Sequence, residues 1–351
     1  MRALACSLVA LVLVVTAPSP GWPQGLGEHY RKASPSVVVI RAKGREVSTG
    51  GVVRFGEIGS GVLVTEDGKV VTASHVVHGM EDITVEFLGR DAVRARLIGF
   101  QPGADLALLQ LDAVPPNPPV ATLVADSRTV GVGDPVFIIV APYGLTYSLS
   151  SGIVGAVWKP NTVNREFPLA EFFQTDATIN TGNSGGPMFN MAGEVIGIVS
   201  HMISKSGGSE GLGFVVTANT VRRLLFDKRP FYLGVDGQIV SGPLATLLNV
   251  PQTGGYLVKT VVKDSLAERL GLAGGDRSAT IDGQQLVLGG DIILAAQGIE
   301  IVTLDDLIAA AKAIRDRPAG REVHMRVLRG GKVVDLATTW SGGPDAAATP
   351  R

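Results

Sequence analysis

The chain has one cysteine in 351 residues, Cys6, and it lies in an apolar stretch at the N-terminus. Once that stretch is removed on export, neither disulfides nor thiol chemistry can support the fold or the activity. Aromatic residues make up only 5% of the chain. Charge is almost balanced at a formal net of -1, which excludes the broad basic footprint of a nucleic-acid binder. Long hydrophobic runs are missing too. The one candidate, Ala3 to Ala17, would span roughly 22 Å as a helix against a hydrocarbon core of ~30 Å. The sequence also lacks a metal-ligating cluster, a phosphate loop and a dinucleotide fingerprint, so no metal or cofactor is expected.

What is present is glycine, 45 residues of it, interleaved with many short Val/Ile runs. That texture points to turn-rich β structure, and the length suits two or three packed units. Arg2 followed by the apolar stretch reads as an export signal over residues 1–21, cut after Gly21 with Ser19 two residues before. The alternative is an uncleaved N-terminal tether. Either way the chain is expected outside the cytoplasm, in the periplasm or cell envelope.

Two series of short strands follow. The first holds Ser36 to Arg41, Gly61 to Thr65, Lys69 to Thr72, Ile83 to Phe87, Val93 to Ile98 and Leu106 to Leu111. Asp67-Gly68 marks a hairpin within it. Prolines between 115 and 119 then break the chain, and Val136 to Val140, Ser148 to Val157, Phe172 to Thr175, Glu194 to Ser200 and Gly213 to Val216 follow. About six strands in each group fit two packed antiparallel barrels. Asn219 to Lys228 reads as a short helix, closed by Arg229-Pro230. Beyond Phe231 strands mix with two helices, one opened by a capping box at Ser265 and Glu268, the other by Thr303 and Asp306. The tail 341–351 is small and Pro/Ala-rich and is expected to be disordered.

The chemistry concentrates in TGNSGGP, Thr181 to Pro187. A serine between glycines can sit on a sharp turn open to a substrate carbonyl, and the glycines leave backbone N–H groups free for a developing oxyanion. His75 in KVVTASHVVHG and Asp105 at the head of ADLALLQL supply a base and an acid to orient it. The chain order His, Asp, Ser is that of the chymotrypsin arrangement. His78 reads as a surface residue.

The run FQTDATINTGNSGGPMFNMAGEVIGIVS, together with KVVTASHVV and DLALLQL, resembles the HtrA/Deg family of trypsin-like serine peptidases. The resemblance implies an all-β, chymotrypsin-like double barrel over 30–226 with Ser184 as nucleophile, His75 as base and Asp105 as orienting acid. The amides of Gly182 and Ser184, with Asn183, would form the oxyanion hole. The position that is aspartate in trypsins is Thr178, which argues against cleavage after Lys or Arg. Asn183, neutral where trypsins carry an acid, rules out their zymogen switch. The substrate strand would run along Ser200, His201 and Met202, where His201 is unusual.

From Phe231 the chain resembles an α+β PDZ domain of the same family, spanning 231–340 after a linker at 227–230. FYLGV, Phe231 to Val235, matches the carboxylate-binding loop, so Tyr232, Leu233, Gly234 and Val235 would capture a peptide's free C-terminus. SLAERLGL and GGDIILAAQG follow in order, but Asp276 to Gly290 interrupts the pattern as an inserted hairpin around Asp282-Gly283. The family implies unfolded or misfolded protein substrates and homotrimers, or multiples of trimers, with Tyr30 near the subunit contact. A tethered regulatory protease and a non-cutting adaptor or chaperone are the other readings.

Overall fold

A computed structural model describes residues 25–342 apart from 49–50, 145–146, 165, 228–230 and 282. The expected export signal, most of the expected linker and nearly all of the expected tail lie outside the described residues. Helix α1 (Leu26–Ala33) leads into a first barrel, and helix α2 (Ser74–Val77) interrupts it. Its strands are β1 (Val37–Ser48), β2 (Gly51–Leu63), β3 (Lys69–Thr72), β4 (Met80–Phe87), β5 (Val93–Gln101) and β6 (Leu106–Leu111). They close in the order β1-β2-β3-β6-β5-β4. The second barrel is built from β7 (Pro135–Val140), β8 (Ser148–Trp158), β9 (Phe172–Thr175), β10 (Pro187–Asn190), β11 (Val195–Met202) and β12 (Gly213–Thr217), closed as β10-β11-β12-β9-β8-β7. This is the chymotrypsin-like double barrel.

β6 serves two cores, which explains why it is apolar at nearly every position. Ala107, Leu109 and Leu111 point into the first barrel, packed with Val38, Ile40, Leu63 and Phe87. Leu106 and Leu108 point the other way, into a shared core with Phe137, Phe172, Phe189 and Ile198 of the second barrel. Each large apolar side chain so buried contributes about 1.5–3 kcal/mol, so the junction between barrels is a rigid base for a site.

The C-terminal unit follows helix α3 (Ala218–Val221), whose last turns widen through Phe226 in place of the longer regular helix expected. It contains β13 (Val235–Ser241), α4 (Gly242–Leu247), β14 (Gly254–Val261), α5 (Leu266–Leu270), β15 (Arg277–Ile281), β16 (Gln284–Leu288), β17 (Ile292–Ala296), β18 (Ile299–Glu300), α6 (Leu304–Arg315), β19 (Glu322–Arg329) and β20 (Lys332–Thr339). The main sheet runs β13-β14-β17-β19-β20, so among the described residues β13 has a neighbour on one side only. β15 and β16 form the expected hairpin, and its Leu286 closes over Val240, Leu257 and Ile292.

Two local expectations change. β1 and β2 are twelve and thirteen residues long, far beyond their expected cores, and pair in register from Val37↔Val62 to Ser48↔Gly51. The outer part of this ribbon carries exposed polar residues such as Lys43, Arg54 and Glu57, so no apolar alternation announces it. At α5 the Ser265 hydroxyl accepts from the Glu268 amide at 3.2 Å, but Glu268 reaches back to the Asp264 amide at 2.6 Å, so the box is displaced by one residue. Tyr30, expected near a subunit contact, donates its hydroxyl to the Tyr147 carbonyl of the same chain at 3.1 Å.

Candidate active site

Asp105 is held where the sequence turns out of a 3₁₀ helix into β6, with left-handed φ 52° and ψ 45°. Aspartate tolerates that conformation better than most residues, at a cost that positions the carboxylate before the buried strand begins. The side chain has 0% exposure. It accepts from the Ser74 hydroxyl at 3.0 Å, the His75 amide at 3.2 Å and the Ser200 hydroxyl at 2.5 Å. His75 Nδ1 lies 2.9 and 3.0 Å from its two oxygens. Burial alone would raise the Asp105 pKa, but the hydrogen bond and charge of His75, then Ser200 and the His75 amide, bring it below the usual carboxylate range. For His75, partial burial pulls the pKa down; the Asp105 hydrogen bond and charge, with a contribution from Glu57, outweigh it and leave the pKa raised.

The nucleophile loop is clamped from the other barrel by a residue the sequence did not flag. Ser60 of β2 donates its amide to the Ser184 carbonyl at 2.8 Å and its hydroxyl to the Gly182 carbonyl at 2.9 Å. The same hydroxyl accepts from the Ala141 amide at 2.9 Å. Gly185 has φ +84°, and a Cβ there would lie 2.1 Å from Thr72 Oγ1 and 2.3 Å from the Ser60 carbonyl. Only glycine lets the loop come that close. Of the three amides considered for the oxyanion, that of Asn183 is bonded to the Asn180 carbonyl at 3.0 Å. Those of Gly182 and Ser184 meet no acceptor among the described residues. In this arrangement the Asn183 amide is committed to the turn.

The Ser184 hydroxyl donates to the Ser200 carbonyl at 3.2 Å, and among the described residues no hydrogen bond joins it to His75. Thr178, placed by sequence against the substrate side chain, is exposed, and its carbonyl accepts from the Asn183 side chain at 3.4 Å. Its side chain therefore does not floor an enclosed pocket. Ser200, His201 and Met202 end β11 beside the nucleophile. Ser200 is buried with its hydroxyl on Asp105, a side-chain role that its place in a substrate strand did not suggest. His201 is half-buried against Phe214, with ring centroids 5.0 Å apart and planes 13° from parallel.

In the C-terminal unit, Gly234 takes φ +91°, and a Cβ there would meet Ser265 at 2.1 Å. The Leu233 and Gly234 carbonyls are fixed by the amides of Ala267 and Val262, both at 2.9 Å. The Leu233 and Gly234 amides meet no acceptor among the described residues, and Val235 begins the edge strand β13. The Tyr232 ring turns away from the loop to Phe100 of the first barrel, 5.3 Å between centroids. His78 is no idle surface residue: its Nε2 lies 3.0 Å from Asp236 of β13.

Residues 59–198 match the trypsin-like peptidase domain family. The chain is 35% identical over 298 residues to a probable periplasmic serine endoprotease, DegP-like, of Halomonas elongata, covering 82% of this chain and 57% of that protein. A probable periplasmic serine protease, do/HhoA-like, of Haemophilus influenzae is 34% identical over 289 residues, covering 80% of this chain and 58% of that protein. The chain thus spans just over half the length of these curated relatives. Among solved structures, an HtrA-type protease AlgW with a decapeptide superposes with a TM-score of 0.52 at 28% identity, covering 90% of this chain and 98% of that one.

Proposed function

Because the chain belongs to the HtrA/Deg family of trypsin-like serine proteases, we propose that it is an exported serine endopeptidase that cuts unfolded or damaged proteins of the periplasm. One observation carries the reading: a fully buried Asp105 grips His75 through Nδ1, beside a serine whose loop keeps two amides free of acceptors among the described residues. Relatives named as periplasmic serine proteases support the compartment and the cutting of proteins.

In the reaction, Ser184 turns its hydroxyl from the Ser200 carbonyl toward His75, which takes the proton as the oxygen attacks the scissile carbonyl. Asp105 holds the imidazole with Nε2 outward and stabilises the imidazolium that forms. The Gly182 and Ser184 amides receive the oxyanion, and His75 then protonates the leaving amine. The substrate would lie as an extended strand along Ser200–Met202.

The proposed layout is a protease domain over 30–226 and a PDZ domain over 231–340. Its carboxylate loop is Tyr232–Val235, and two free amides there support capture of a peptide C-terminus. Assembly as trimers is part of the same reading and rests on family likeness. Digestion of an unfolded protein by the wild type and by Ser184→Ala, with mapped cut sites, tests the whole. Binding without cleavage by the wild type would replace the protease with an adaptor.

A further inference from the structure

His201 belongs to a chain of hydrogen bonds whose direction can be fixed at every link. Asn164 Oδ1 accepts from the Glu166 amide at 2.9 Å, which sets the side-chain amide so that Nδ2 faces His201. Asn164 Nδ2 lies 3.3 Å from His201 Nε2, and His201 Nδ1 lies 3.1 Å from the Ser200 oxygen. Ser200 has one hydroxyl proton, and at 2.5 Å from an ionised Asp105 that proton must go to the carboxylate. The Ser200 oxygen then accepts from His201, whose Nδ1 carries the hydrogen, while Nε2 accepts from Asn164. A single neutral tautomer satisfies every link. A proton on Nε2 would face the Asn164 NH₂ group donor to donor, and turning that amide would break the Glu166 bond. The ring cannot swing away, because Phe214 stacks on it and Phe172 packs at 88° to it with ring centroids 5.4 Å apart.

We propose that His201 is a positioning residue: held as its Nδ1–H tautomer by Asn164, it directs the Ser200 hydroxyl onto Asp105 and so fixes the carboxylate that orients His75. The proposal rests on the peptidase reading above. It gives His201 a role through Ser200 in place of a contact with the substrate side chain. The ionisable groups facing the ring are Asp105, His75 and Glu166. Burial and the nearby His75 lower the His201 pKa, against Asp105 and Glu166, which favours the neutral ring the chain of bonds requires.

Two variants separate this role from packing. His201→Phe keeps the stack and removes the donor. The Ser200 oxygen then loses the bond it accepts, its donation to Asp105 weakens and is less firmly directed, and Asp105 becomes more basic, so the His75 pKa rises and the acid limb of kcat/KM moves to higher pH. Asn164→Asp places a carboxylate on Nε2 and favours a protonated His201, whose charge moves the limb to lower pH. Both should lower kcat on the order of tenfold with KM nearly unchanged, as for groups that orient a working side chain at one remove. Limbs shifting in opposite directions support the proposal. Equal shifts, no shift, or a rise in KM at constant kcat would overturn it. Independently of turnover, ¹⁵N spectra of the Ser184→Ala protein should show His201 protonated at Nδ1 and bare at Nε2. The other tautomer, or a protonated ring at neutral pH, overturns the proposal even if the wild type is an active peptidase. If the wild type proves inactive, the peptidase reading fails and these spectra still decide the tautomer.

Discussion

His78 Nε2 and Asp236 Oδ1 lie 3.0 Å apart and tie the residue just beyond α2, which carries His75, to the edge strand of the C-terminal unit. Asp236 follows Val235 directly, so this contact sits between His75 and the proposed carboxylate loop. Around it the Phe100 ring packs at a tilt against both His78 and Tyr232, and Lys259 lies 3.9 Å from Asp236. The contact gives a peptide held at Tyr232–Val235 a short mechanical path to α2.

That pair should set how firmly the two units dock. Burial raises the Asp236 pKa, but the hydrogen bond and charge of His78, then Lys259 and the Gly237 amide, leave it lowered. A lowered carboxylate contributes stability that is complete above the ordinary aspartate value of about 4 and is lost as pH falls through the folded value. With the His78 side chain 41% exposed, the pair is worth about 0.5–1 kcal/mol. Asp236→Asn should therefore loosen docking near neutrality, seen as a larger radius of gyration in solution scattering, and the difference should shrink in acid. An unchanged radius at neutral pH would refute the link.

Removal of the triad hydroxyl or its base should abolish turnover without unfolding the protein. Ser184→Ala is expected to lower kcat on the order of 10⁶-fold, and His75→Ala about as much, because the alcohol is a poor nucleophile without its base. Purified variants that still digest casein near the wild-type rate would sink the mechanism.

The pH profile follows from the raised His75 pKa. The base must be neutral to act, so the acid limb of kcat/KM should lie above the ordinary histidine value of about 6.5. Asp105→Asn removes the hydrogen bond and charge that raise it and leaves the burial that lowers it. The limb should move to lower pH while kcat falls by about 10⁴. A limb that stays in place would show that Asp105 does not govern the base.

Ser60→Ala probes the clamp between barrels. It strips the Gly182 carbonyl and the Ala141 amide of their buried partner, at a cost of about 1–3 kcal/mol for each group left unsatisfied. Freed at its carbonyl, the Gly182–Asn183 peptide can turn and carry the flanking Gly182 and Ser184 amides off the oxyanion site, lowering kcat on the order of 10²-fold with little change in KM. A thermal shift with full kcat would confine Ser60 to stability.

What could be read from the sequence was what is written locally. TGNSGGP, the small residues before His75 and the aspartate opening an apolar strand each carry their chemistry within a few positions. The same holds for the Thr303–Asp306 box, where both reciprocal bonds form as expected. Partners brought together only by folding were out of reach. Ser60 meets Gly182 across 122 positions, Ser200 meets Asp105 across 95, and His78 and Asp236 come from different units. Hydroxyls like Ser60 and Ser200 have no local pattern that separates a clamp from a strand residue. His201 stood out as an unusual residue, but its Asn164 partner comes from an irregular loop with no motif of its own.

The C-terminal unit should capture peptides by their free carboxylate and pass that event to the barrels. The Leu233 and Gly234 amides are unbonded within the described structure, and β13 offers an open edge for an added strand. Peptides ending in an apolar residue should bind with a carboxylate and lose affinity when amidated, because a charge-assisted bond to the loop becomes a neutral one. Gly234→Ala should abolish capture, since φ +91° and a Cβ 2.1 Å from Ser265 deny the loop its shape. Because His78 and Asp236 join the loop's strand to α2, bound peptide should also change turnover of a short unrelated substrate. His78→Ala should remove that effect while peptide affinity stays near wild type. Tethering alone predicts a different result, tighter binding of long substrates through local concentration and no response from the short one. A flat short-substrate response at saturating peptide would leave a tethered protease and refute coupling through His78.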